Sequence, residues 1–149
     1  MANRSTLYTD LLFFLKGRLA ANITDPVSSA RGSSSAFIMT SYPEREVKYP
    51  LITLEISNTA ESRAVMQTTN MDIKLTVDIR IWTKSVAQSD KFAQEILDDL
   101  ADLQFTASTG SVANDFHDFN VGSVIRVDDP GEGGTKSRII QLNYSFFNV

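Results

Sequence analysis

Residues 70 to 83 constrain the fold more than any other stretch of the chain. Met71, Ile73, Leu75, Val77, Ile79 and Ile81 alternate there with Asp72, Lys74, Thr76, Asp78, Arg80 and Trp82. Successive side chains of a strand point to opposite faces, so this period of two predicts a half-buried antiparallel strand. About 14 residues at roughly 3.3 Å each span on the order of 45 Å. A compact chain of 149 residues is only about 38 Å across. The strand is therefore expected to overhang the body or to curl, and an overhang leaves backbone groups that invite a partner.

Two helices frame this strand. Over residues 4 to 21, Leu7, Leu11, Phe14 or Leu15, and Leu19 recur at spacings of three and four, with Leu12 and Phe13 widening the apolar stripe. Ser5 or Asn3 would cap this helix and Asn22 would end it. Over residues 86 to 105, Phe92, Ile96, Leu100 and Leu103 make a second stripe, with Ser85 or Ser89 as the cap. Its other face carries Asp90, Glu95, Asp98, Asp99 and Asp102 against Lys91, a balance equal to the whole formal charge of −4. Such a face reads as solvated, or as repelling an anion.

The remaining strands are shorter. Residues 37 to 41 form a brief one, and 51 to 57 a second with Ile52, Leu54 and Ile56 on one face. Residues 58 to 70 read as a polar loop and 106 to 118 as mostly loop. Residues 119 to 127 and 137 to 147 then form two strands joined by a wide turn over 128–137. The expected fold is a single α+β domain over 1–149: a mainly antiparallel sheet with one long strand, flanked by two helices.

Composition removes several function classes. The chain has no Cys and one His, which excludes a disulfide scaffold, a Cys zinc site, a Cys nucleophile and a His-rich metal site. An acidic chain has no general attraction for nucleic acid or anionic membranes. The cluster Leu11-Leu12-Phe13-Phe14-Leu15 is too short for a membrane span, and no targeting signal is read at the N-terminus.

Motifs for chemistry are weak. Gly131-Glu132-Gly133-Gly134-Thr135-Lys136-Ser137 has Thr135 where a phosphate loop needs Gly, and it leads into a strand rather than a helix. Asp115, His117 and Asp118 are neighbours in a polar segment without the rest of a metal shell. His117 as a general base has no nucleophile to serve. The arginines are scattered, and no aromatic-basic strand for RNA is present. No catalytic residue, metal ligand or cofactor is expected.

Element order carries a resemblance. An amphipathic helix leads, then Tyr49-Pro50-Leu51-Ile52-Thr53-Leu54. The long strand follows, ending Val77-Asp78-Ile79-Arg80-Ile81-Trp82-Thr83-Lys84-Ser85. The helix Asp90 to Leu103 and a closing hairpin complete the order. This resembles the tail terminator (tail completion) proteins of long-tailed bacteriophages. The resemblance implies a ring, usually of six subunits, at the head-proximal end of the tail tube. Such a ring stops tube polymerisation and meets the head connector, while DNA passes through its bore without specific binding. It implies a virion protein with the tail tube protein and a head–tail connector protein as partners, and no membrane. A head–tail joining protein of similar fold is the nearest alternative. A small cytoplasmic ligand-binding or enzyme domain, with a pocket near His117, is the alternative from another class.

On that reading a ring needs a heterologous interface, for which Thr76, Asp78, Arg80 and Trp82 are the candidates. Loops on a rigid sheet usually carry contacts. Arg63, Met66, Gln67, Asp129 and Glu132 are therefore the candidates for contacts between rings.

Overall fold

The computed structural model describes residues 6–27, 29, 37–40, 48–63, 71–105, 116–128 and 134–148. Two long helices and five strands follow in the order α1 (Leu7–Asn22), β1 (Ile38–Met39), β2 (Leu51–Arg63), β3 (Met71–Thr83), α2 (Val86–Phe105), β4 (Phe116–Asp128) and β5 (Lys136–Asn148). The strands form one mixed sheet in the order β1-β2-β3-β5-β4. Only β1–β2 is parallel; the other neighbours are antiparallel.

The alternation of residues 71–83 does become β3, but β3 is not an overhang. It sits at the centre of the sheet, paired with β2 on one side and with β5 on the other over Met71 to Thr83. Nor is it singular in length, because β2, β3, β4 and β5 each have 13 residues. The excess length is shared by four strands laid side by side, with β3 and β5 paired along both edges. Two loop expectations fall with this. Residues 58–63 continue β2 past a bulge at Ser57, and Phe116–Asp118 open β4. Asn58 and Glu61 are exposed polar residues on a ladder held by its neighbour, so composition misread this stretch.

Both helices cover one face of the sheet. Leu7, Leu11, Leu15 and Leu19 of α1 are buried with Phe92, Ala93, Ile96 and Leu100 of α2. Against them lie Ile52 and Leu54 of β2, Ile73, Leu75, Val77, Ile79 and Ile81 of β3, and Ile140, Leu142 and Tyr144 of β5. Fully withdrawing one such Leu or Ile from water contributes about 1.5–3 kcal/mol. Phe37, just before β1, packs its ring 6.0 Å from that of Phe92. Of the wide α1 stripe, Leu12 and Phe14 pack partly against the core, while Phe13 is 66% exposed.

The start of α1 differs from the expected cap, while Asn22 and Ser85 stand at the helix ends expected of them; Asn3 and Ser5 lie outside the described residues. Thr6 is the N-cap of α1; its hydroxyl donates to Asp10 Oδ2 at 2.6 Å rather than capping a backbone amide. Asn22 closes the last turn by donating to the Arg18 carbonyl at 3.1 Å. Ser85 begins α2, its carbonyl accepting from the Ser89 amide at 3.1 Å. Ser89 itself lies within the first turn.

The acidic face of α2 is not wholly solvated. Asp99 accepts from Arg18 of α1 at 3.0 Å, and Asp90 accepts from Arg138 of β5 at 2.9 Å. Two of the five acids therefore fasten α2 to its neighbours.

Candidate interaction surface

Even-numbered β3 residues point away from the helices, onto a face that no described helix covers. Thr76, Asp78, Arg80 and Trp82 line up there, each half-buried. Their hydrogen bonds run alternately to the two flanking strands. Thr76 Oγ1 donates to Asn143 Oδ1 of β5 at 3.2 Å, and Asp78 Oδ1 accepts from Ser57 Oγ of β2 at 3.2 Å. Arg80 Nη2 donates to Ser137 Oγ of β5 at 3.2 Å, and Trp82 Nε1 donates to Thr53 Oγ1 of β2 at 3.0 Å. The four expected interface residues are thus brought together and stitched to both neighbours, which fixes their rotamers and lowers the entropy lost on contact.

The electrostatics of this face are mixed. The Arg80 guanidinium lies 3.7 Å from the centroid of the Trp82 ring. Its Nε is buried without an acceptor among the described residues. Glu55 stands directly across from Asp78 in the β2–β3 register, a like-charge pair that costs a few tenths to about 1 kcal/mol. Thr53, Glu55, Asp78, Arg80 and Trp82 help line a shallow groove of about 300 Å³.

The expected inter-ring residues are not brought together as a group. Arg63 ends β2 as a strand residue. Met66, Gln67, Asp129 and Glu132 lie outside the described residues. His117 and Asp118 belong to β4, and Asp115 lies outside the described residues. Among the described residues, no group of three or more His, Cys, Asp or Glu is placed to hold a metal ion, and no helix is long and apolar enough to cross a membrane.

Sequence reasoning placed a strand over 119–127 but passed over the apolar residues that it exposes. Val121, Val124, Ile125 and Val127 are 36–43% exposed on this outermost strand. Val121 and Val124 share the helix side of the sheet with Leu142 and Ile140, while Ile125 and Val127 share the bare side with Ile139 and Ser137. A break in register between Val121 and Ser123 puts Gly122 out of the ladder and breaks the simple period of two. The run Val124-Ile125-Arg126-Val127 was the available signal, because apolar residues on both faces of an edge strand cannot all be buried by one chain.

Compared with models of known protein families and with curated proteins, the chain matches none.

Proposed function

We propose that this chain is a virion structural protein. In this reading it forms a closed ring, a hexamer, at the head-proximal end of a phage tail tube. The ring ends tube polymerisation and presents a surface to the head–tail connector. The observation that carries the reading is the bare sheet face, where Thr76, Asp78, Arg80 and Trp82 are each hydrogen-bonded to a flanking strand. A rigid, mixed-charge platform backed by a two-helix layer suits a docking protein whose work is steric. The resemblance in element order supports the same reading.

The mechanism is geometric. One side of the ring reproduces the docking surface of a tube subunit, and the other withholds it, so the next subunit finds nothing to add to. Heterologous contacts between identical subunits close the ring when their rotation closes. The acidic balance of the chain, −4 overall, suits a bore through which DNA slides, because cationic walls would bind phosphates.

The test pairs native mass over a wide concentration range with negative-stain images of the protein mixed with purified tail tubes. A ring seated on one tube end supports the reading. A ring bound instead to the connector, with tube ends bare, would assign the chain to head–tail joining. No binding to either would reject a virion role.

A further inference from the structure

Among the described residues, the sheet leaves two long strands with an open edge, and they lie on opposite sides. On one side β4 is the last strand from Phe116 to Asp128. On the other, β1 covers β2 only at Ile52 and Thr53. From Leu54 to Arg63, β2 pairs with β3 alone among the described residues. The Ile52 amide donates outward to the Phe37 carbonyl. Strand alternation then turns the Leu54 and Ile56 amides to the same side, and beyond the bulge that of Thr59.

We infer that β4 of one copy pairs antiparallel with the open Leu54–Arg63 edge of β2 in a second copy of this chain. Three observations select that occupant. First, polarity fits without inversion. β2, β3, β5 and β4 alternate in direction, so β2 and β4 run oppositely. A second copy set beside the first in the same orientation brings the two edges together as an antiparallel pair. Second, the edges are unlike and of similar length. β4 exposes Val121, Val124, Ile125 and Val127, whereas β2 exposes Glu55, Ser57, Asn58, Ala60 and Glu61. Third, beyond its two breaks in register, at His117/Asn120 and Val121/Ser123, β4 pairs regularly with β5 from Ser123 to Asp128, and this stretch carries little of the usual protection of an edge. The one charged side chain in its middle, Arg126, is neutralised by Asp128 at 2.6 Å. Pairing β4 with another β4 across a two-fold axis would leave both β2 edges open. Pairing β4 with β2 satisfies both edges of every copy and repeats by rotation, as a ring requires.

This inference rests on the ring reading and names the contact that closes it. The test uses one variant for each edge. Ile125→Glu places a carboxylate on the β4 edge, against a β2 edge that carries Glu55 and Glu61, and Thr59→Pro removes an outward amide from β2 without touching the β3 ladder. Circular dichroism and urea unfolding establish that each variant is folded, and Val127→Glu replaces Ile125→Glu if that variant is not. Each variant alone should lose the assembled species and run as a monomer. Their equimolar mixture should give a heterodimer and nothing larger, because it holds one good β4 and one good β2 edge. Hydrogen exchange on the wild type should show slower amides in both strands upon assembly. Wild-type assembly by either variant alone, assembly lost only through the β4 variant, or a wild-type protein that stays monomeric would each overturn the inference. Tube binding is scored separately. Wild type that caps tubes while both variants still assemble rejects the edge pairing and leaves the ring reading intact. Edge-dependent assembly without tube binding does the reverse.

Discussion

Arg80 and Trp82 stand two positions apart on β3, and the guanidinium of the first lies 3.7 Å from the ring centroid of the second. Strand geometry puts both on the bare face, and the ring's indole N–H is already committed to Thr53. A stacked Arg–Trp pair of this kind is worth about 0.5–2 kcal/mol, rising with desolvation. Arg80→Ala should therefore lower stability in urea by about 1 kcal/mol. Trp82 is the chain's single Trp, so the same variant should change its emission without unfolding the protein. Trp82→Phe keeps an aromatic face and loses the Thr53 bond, and should cost less than Trp82→Ala.

Arg18 and Asp99 join the two helices across 81 positions of sequence, with Nη2 and Nε both reaching Oδ1, at 3.0 and 3.2 Å. The side chains are 23% and 9% exposed, so the pair is partly shielded from water. Removing one partner strands the other in that setting. Arg18→Ala or Asp99→Ala should each cost about 1.5–3 kcal/mol. A double-mutant cycle in urea should show clear coupling between them, whereas the exposed Lys91–Glu95 pair at 3.9 Å should show almost none.

Gly122 lies beside β5 where an added Cβ would come within 2.6 Å of Asn143 Nδ2. Asn143 accepts the Thr76 hydroxyl bond, so Gly122→Ala must push the amide aside and loosen that tie. The expected loss is about 1 kcal/mol, the scale of one hydrogen bond. Asn143→Ala in the same chain removes the clash. The double variant should therefore be no less stable than Asn143→Ala alone.

What could be read ahead of the structure follows from which interactions are local. The buried stripe Leu7, Leu11, Leu15, Leu19 and the β3 alternation are properties of single elements, and both were legible. So was the order of elements, and with it the α+β class. The placement of β3 was not. Length alone implied an overhang, but four equal strands absorb that length, and only long-range pairing reveals it. The polar stretch Asn58–Arg63 was misread for the same reason: β3 holds it in the ladder, not its own composition. At the candidate surface, periodicity correctly grouped Thr76, Asp78, Arg80 and Trp82 on one face. Their partners Thr53, Ser57, Ser137 and Asn143 depend on register and carry no sequence mark. The exposed valines of β4 were passed over because Gly122 interrupts their alternation.

Tyr144 is buried among the apolar side chains beneath the helices. Desolvation raises its phenol well above the ordinary value near 10, with the Arg18 charge opposing the shift. A folded-state value above the unfolded one means that the native state holds its proton more tightly. This contribution is therefore complete below pH 10 and declines as pH rises further. Unfolding free energy should fall above about pH 10, and Tyr144→Phe should flatten that decline. Urea titrations of both proteins at pH 9, 10 and 11 would measure the difference. An equal alkaline slope in the two would remove Tyr144 as its source.

Charge reversal separates the bare face from the acidic helix. Asp78 lies across from Glu55 on the face assigned to docking, while Asp98 is exposed on α2 and bonded only locally, to Gln94 at 2.8 Å. Asp99 is unsuitable as the control, because its reversal would break the Arg18 bridge and confound assembly with folding. Asp78→Lys relieves a like-charge pair within one chain, so the monomer should be as stable as wild type or slightly more so. If the face contacts a neighbour or the tube, that variant should weaken assembly or tube capping at least tenfold while Asp98→Lys leaves both unchanged. Sedimentation and tube binding on the same preparations would measure it. Equal behaviour of the two variants would withdraw Asp78, and with it the bare face, from the docking role.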